Sequence, residues 1–315
     1  MSTEDEWKPD ICVYHGGCDD GFGAAWAVHK KWGDSVRFVA GAYGGFEWPA
    51  DIAGKNILFV DFSLKGDQMI QLSNGGNTGA VPRSIVVLDH HKTAEAELKD
   101  WSVAGLTLAE TPTFVGLNMQ EMHEQIVALF DMDRSGARLA WEFCFPGNPV
   151  PMLIEHIEDR DLWRFRLATT KTVSAALRTY PQDFATWDSL DVDTLRDEGR
   201  AILRGHERNV ADMIRNRYWT DVGGVRVPVL NVPYHYASDC ADAILDAEPG
   251  APFAAAWFRR ADGKEQFSLR SRNERMDVSE IAKKFGGGGH RNAAGFERPE
   301  TKARRKRNKE LYGSW

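Results

Sequence analysis

Three short, uninterrupted apolar runs stand out in the first third of the chain: Ile11-Cys12-Val13-Tyr14, Ile57-Leu58-Phe59-Val60 and Ile85-Val86-Val87-Leu88. Runs of this length, with no polar alternation, suit strands covered on both faces, as in a parallel sheet. The first is broken by His15-Gly16-Gly17 and followed by a helix expected to begin at Gly23-Ala24-Ala25-Trp26. Each run ends in ionisable residues: His15 with Cys18, Asp19 and Asp20, then Asp61, then Asp89, His90 and His91. In open α/β sheets ligands bind beyond the carboxyl ends of the strands, so these three ends are expected to converge on one site.

Further along, Ser135 to Phe143 and Pro151 to Ile157 carry apolar residues at helical spacing, and Asp183 to Arg217 is a long amphipathic stretch that fits a connector helix. Arg134-Ser135-Gly136-Ala137 reads as a helix start capped by Ser135, with substrate contact as the alternative. The pattern then changes. Val225, Val227 and Val229 alternate like a half-buried strand, and Phe253 to Phe258 and Gln266 to Ser271 flank an Asp262-Gly263 turn as a hairpin would. A helix expected from Asp277 or Ser279 to Phe285 runs into Gly286-Gly287-Gly288-Gly289-His290. The expected organisation is a parallel-sheet α/β domain over residues 1–182, a helical connector over 183–219, a smaller α/β domain over 220–300 and a basic tail over 301–315, with the active site in the interdomain cleft.

Composition narrows the class. At 315 residues the chain exceeds the usual size of one core, and 43% apolar with 27% charged residues is ordinary for a folded protein. A net charge of −7 excludes a general nucleic-acid coat, so an anionic substrate has to be met locally, by metal ions or a few arginines. Four cysteines without a CxxC pair fit free thiols in a reducing compartment. The acidic start of the chain lacks the apolar stretch of a secretory signal, and no apolar run is long enough to span a bilayer. The expectation is a cytoplasmic protein with no membrane partner.

Carboxylates and imidazoles gathered at one sheet edge repel unless cations neutralise them, and mixed O/N donors favour Mn²⁺, Fe²⁺, Zn²⁺ or Mg²⁺. At Leu88-Asp89-His90-His91 the chain resembles the DHH phosphoesterase superfamily. Tyr14-His15 with Asp20-Gly21 is similar to that family's first motif, Val60-Asp61 to its second, and Gly286-Gly287-Gly288-Gly289-His290 with Ala293-Ala294-Gly295 to the GGGH signature of the C-terminal domain that accompanies its oligonucleotide-cleaving branch.

The resemblance implies two divalent ions, with Mn²⁺ the leading choice. It implies His15 on the first ion, Asp20 and His90 on the second, Asp61 bridging both, Asp89 orienting its neighbours and His91 contacting the scissile phosphate. The fourth motif offers Asp159 and Asp161, with Asp159 preferred. The usual first motif is H-x-x-x-D-x-D. Counting forward from His15 places Asp19 at its first aspartate, whereas counting back from Asp20 places Cys18 there; Asp19 is preferred. In the second domain Arg270, with Arg272 as its competitor, and Gly288, Gly289 and His290 are the implied phosphate contacts.

The implied activity is hydrolysis of short RNA or DNA oligonucleotides (nanoRNA) to mononucleotides. Phosphoadenosine phosphate, cyclic mono- and dinucleotides and polyphosphate are alternative substrates, and a homodimer is compatible with the family. A rival from another class is a catalytically silent nucleic-acid binder, motivated by the altered first motif and the basic tail.

Overall fold

The structure is a computed structural model and describes residues 7–42, 51–76, 79–118 and 125–299. The basic tail, Lys302 to Lys309, lies outside the described residues. The chain divides into two compact units, 1–203 and 204–315.

In the first unit the elements follow as β1 (Ile11–His15), α1 (Asp19–Trp32), β2 (Arg37–Gly41), β3 (Asn56–Val60), α2 (Gly66–Ser73), β4 (Ser84–Asp89), α3 (Lys92–Leu98), α4 (Thr111–Asn118), β5 (Ile126–Phe130), α5 (Gly136–Cys144), α6 (Met152–Asp161), α7 (Thr170–Leu177), α8 (Phe184–Ser189) and α9 (Val192–Met213). The stretch expected to form one connector helix forms two, α8 and α9, and the boundary between the units falls inside α9.

All five strands are parallel, in the order β2-β1-β3-β4-β5. The side-chain period of two divides them between two cores. Cys12, Leu58, Val60, Val86, Leu88 and Val127 pack on one face with Phe22, Trp26, Leu139, Phe143, Ile154 and Trp187. Ile11, Val13, Ile57, Phe59, Ile85, Val87 and Ile126 pack on the other with Met69, Leu72 and Leu98. Both faces are thus covered, which is why these strands read as unbroken apolar runs.

Helix α1 begins at Asp19 rather than at Gly23. Gly21 explains the early start: a β-carbon there would lie 2.2 Å from the carbonyl oxygen of His15. Only glycine lets the first turn of α1 close against the end of β1, and that contact fixes Asp20 beside the strand end.

The second unit contains β6 (Tyr218–Val222), β7 (Val225–Asn231), α10 (Ala237–Ala247), β8 (Ala254–Arg259), β9 (Glu265–Arg270), α11 (Val278–Lys283), β10 (Gly288–Gly289) and β11 (Ala293–Arg298). Its six strands run in the order β10-β11-β9-β8-β7-β6, antiparallel except for β7 with β8. Helix α11 packs Val278, Ile281 and Ala282 against Val227, Phe267 and Phe296 on one face. Helix α10 packs Cys240, Ala241 and Ile244 against Leu230, Ala254 and Ala256 on the other.

Candidate metal and phosphate site

The first unit gathers its ionisable residues where the sheet ends. His15 closes β1, Asp61 follows β3, and Asp89 closes β4 with His90 and His91 after it. Asp20, Asp61, Asp89 and His90 are each 1% exposed or less. Asp61 adopts φ 54°, the left-handed region that a side chain rarely enters. Its amide donates to the carbonyl of Leu88 at 3.0 Å, and this turn carries its carboxylate across the strand ends.

The two oxygens of Asp61 face different neighbours. Oδ1 lies 3.0 Å from His90 Nε2, and Oδ2 lies 3.5 Å from His15 Nδ1. His90 Nε2 also lies 3.5 Å from Asp20 Oδ2 and 3.6 Å from Asp161 Oδ2. Three carboxylates therefore surround one buried imidazole. Burial opposes a charge on His90, but the Asp61 hydrogen bond and the Asp161 and Asp20 charges outweigh it and push its pKa up to about 10. The carboxyls of Asp20 and Asp161 are pushed upward by burial and by neighbouring negative charge, whereas Asp61, despite its burial, is held well below the usual range by His15 and His90.

Asp89 acts on its own turn. Its Oδ1 accepts from the His90 amide at 2.7 Å and the His91 amide at 3.2 Å, and lies 2.7 Å from His91 Nδ1. Burial opposes a charged His91, yet the Asp89 carboxylate raises its pKa.

Asp20 sits in the first turn of α1 and is held by the start of α5, a segment whose preferred sequence reading is a cap rather than a substrate contact. Its Oδ2 and Oδ1 accept from the amides of Gly136 at 2.6 Å and Ala137 at 2.9 Å, the first residues of α5. Ser135, as expected, caps that helix, its Oγ accepting from the Arg138 amide at 3.3 Å. The Ser135-Gly136 pair was a visible signal, but it identified the cap and not the carboxylate resting on it.

The geometry departs from the sequence reading at two positions. Asp159, preferred over Asp161, turns the other way: its carboxylate accepts from the amides of Arg166 at 2.8 Å and Leu167 at 3.0 Å and from Thr170 Oγ1 at 2.5 Å. It closes the loop after α6, and Asp161 is the one beside His90. Asp19, preferred over Cys18, is ion-paired with Arg178 Nε at 3.3 Å. Cys18 instead groups with His15 and Asp61, their donor atoms all within 4.8 Å of one another. A second such group joins Asp20, His90 and Asp161.

These donors fit divalent ions. Two buried carboxylates, Asp20 and Asp61, and the more exposed Asp161 crowd around His90, and burying like-charged groups together is costly without a cation. Asp61 Oδ2 is buried, with His15 Nδ1 at 3.5 Å and no closer hydrogen-bond partner. The sulfur, nitrogen and oxygen donors suit a transition ion in the first group, and the nitrogen and oxygen donors a harder ion in the second.

In the second unit Arg270 ends β9, donating from one terminal nitrogen to the Leu269 carbonyl at 2.8 Å and from the other to Ser238 Oγ at 2.5 Å. It pairs across the sheet with Ala293, whose carbonyl accepts from the His290 amide at 2.8 Å, so Arg270 and His290 flank the same residue. Arg272 is taken up by Asp242 and Asp246 on α10. Gly286, at φ 78°, ends α11, and Gly288 and Gly289 pair with Gly295 and Ala294 as a two-residue strand rather than an open loop.

Comparison with known proteins agrees with this architecture. The sequence profile of the DHHA1 domain matches residues 236–311. Uncharacterized protein R106 of Acanthamoeba polyphaga mimivirus is 30% identical over 310 residues, spanning 91% of this chain and 67% of that protein. The crystal structure of an exopolyphosphatase-related protein from Bacteroides fragilis superposes with a TM-score of 0.54 at 14% identity, covering 98% of this chain and 92% of that one. The last likeness is one of fold. With the DHHA1 match in the second unit and Asp89-His90-His91 at the end of β4, beside the central strand of a five-stranded parallel sheet in the first, the chain belongs to the DHH phosphoesterase superfamily and carries its C-terminal DHHA1 domain.

Proposed function

We propose that the chain is a two-ion phosphodiesterase that hydrolyses short oligonucleotides, or closely related small nucleotides, to mononucleotides. The observation that carries this reading is the division of Asp61: one oxygen faces His15 and the other faces His90, so a single carboxylate serves two donor groups. His15, Cys18 and Asp61 would hold one ion, and Asp61, Asp20, His90 and Asp161 the other. Two divalent ions, when bound, supply Lewis-acid polarisation of the phosphoryl oxygens and lower the pKa of the attacking water.

The chain's own residues do the rest. Asp89 fixes the His91 ring through Nδ1 and favours its charged form, leaving Nε2–H as the donor toward a phosphoryl oxygen. The α5 amides hold Asp20 in place, so the second group need not reorganise when substrate arrives. In the second unit Arg270 and His290 are the proposed phosphate contacts, the guanidinium suited to bidentate pairing.

The experiment is a panel incubated with Mn²⁺: labelled RNAs from dimer to decamer, cyclic dinucleotides, phosphoadenosine phosphate and polyphosphate. Release of mononucleotides from the shortest RNAs is expected. Turnover of phosphoadenosine phosphate or polyphosphate alone would replace the substrate assignment. Tight RNA binding with no turnover of any compound would identify a silent nucleic-acid binder and end the phosphodiesterase reading.

A further inference from the structure

Four cysteines are present, and three are packed away: Cys12 and Cys144 in the first unit's core and Cys240 on the face of α10 that packs against the second unit's sheet. Cys18 is the half-buried one. It occupies the N-cap of α1, a position more often held by serine or aspartate. Its sulfur joins His15 Nδ1 or Nε2 and an Asp61 oxygen in one group of ligand-capable atoms within 4.8 Å of one another. A second observation marks the same spot: the buried Asp61 Oδ2 has His15 Nδ1 at 3.5 Å and no closer hydrogen-bond partner. The neighbouring carboxylate that would offer an all-oxygen alternative, Asp19, is paired with Arg178.

We infer that Cys18 is a metal ligand, so that the first site is a thiolate–imidazole–carboxylate site chemically unlike the second. This rests on the two-ion reading above and specifies it. A thiolate shifts preference from Mg²⁺ toward Zn²⁺, Co²⁺ or Fe²⁺, whereas Asp20, His90 and Asp161 offer two carboxylates and one imidazole, a set that accepts Mn²⁺ or Mg²⁺. The two sites are therefore selective for different ions, and ligation at the first releases the thiol proton to solvent.

Co²⁺ reports on this directly, because a cobalt–thiolate bond produces a near-ultraviolet charge-transfer absorption that oxygen and nitrogen ligands do not. Titration of the full chain with Co²⁺ should develop that band. Cys18→Ser should abolish it, and Asp19→Asn should leave it intact. Absence of the band in the Co²⁺-saturated wild-type protein, or its persistence in Cys18→Ser, overturns the assignment. A second measurement needs no variant: iodoacetamide labelling of the native wild-type protein, mapped by mass spectrometry, should modify Cys18 in the chelated protein and spare it with Zn²⁺ bound. Equal labelling in both states overturns the inference as well. Neither readout uses turnover. A protein that shows the band yet cleaves no phosphodiester refutes the proposed reaction while supporting Cys18 as a ligand.

Discussion

A β-carbon placed on Gly136 would lie 2.3 Å from the Cβ of Asp61 and 2.8 Å from its carboxyl carbon. The start of α5 is thus in contact with the carboxylate whose two oxygens face His15 and His90, while its amide holds Asp20. Gly136→Ala should displace Asp61 and reduce activity by at least about 10²-fold, the scale of a 1 Å misplacement at a reacting centre. Ser135→Ala, one residue away, removes only the cap and should cost about 1 kcal/mol of stability with metal affinity unchanged. Calorimetric metal titration of both variants checks the contrast; equal metal affinity in the two would remove Gly136 from the site.

Asp61 itself gives the sharpest test of the two-ion reading. Asp61→Ala should lower kcat by at least about 10³-fold, or ~4 kcal/mol of barrier. Steady-state kinetics with Mn²⁺ on the best substrate of the panel measures this. Activity within tenfold of wild type is incompatible with a bridging carboxylate.

Asp159 and Asp161 should separate stability from metal binding. Asp159→Ala leaves two amides and the Thr170 hydroxyl without their acceptor, which should cost roughly 1.5–3 kcal/mol in urea denaturation. Asp161→Asn removes a charge beside His90 and should weaken Mn²⁺ binding by at least ~10-fold with little change in denaturation midpoint. The opposite pairing of effects would restore the preference for Asp159 drawn from the sequence.

Arg270 tests the role of the second unit. Its loss should raise KM for short oligonucleotides by a factor corresponding to roughly 1.5–3 kcal/mol, with Mn²⁺ affinity unaltered. A small nitrophenyl phosphodiester, which offers no second phosphate to grip, should be far less affected. Comparable damage with both substrates would make Arg270 a structural partner of Ser238 and nothing more.

Much of this architecture was legible in the sequence, for identifiable reasons. Strands β1, β3 and β4 are buried on both faces, so their runs are unbroken and their polar ends conspicuous. Strand β2 lies at the sheet edge, with Arg37 and Ala40 exposed, and gave no such contrast. The choice between Asp159 and Asp161 depends on direction around α6, and that between Cys18 and Asp19 on the step from the extended N-cap into the first turn of α1. Residues two apart on a helix point roughly 200° apart and adjacent ones roughly 100° apart. A one-residue ambiguity in counting therefore decides whether a side chain meets the site or turns toward Thr170 or Arg178. The amides under Asp20 were invisible because backbone donors leave no mark on residue type.

The left-handed turn at Asp61 also has a meaning for folding. The residues gathered around it come from the ends of β1, β3, β4 and α6, segments far apart in the chain that meet only when the parallel sheet is in register. An unfolded chain has no counterpart of this arrangement, so a cation that fits it binds the native state alone. At one hundred times its dissociation constant such an ion adds about 2.7 kcal/mol to the stability of the unit that binds it. The repulsion built into the cluster thereby makes the folded population of that unit answer to the free metal concentration around it.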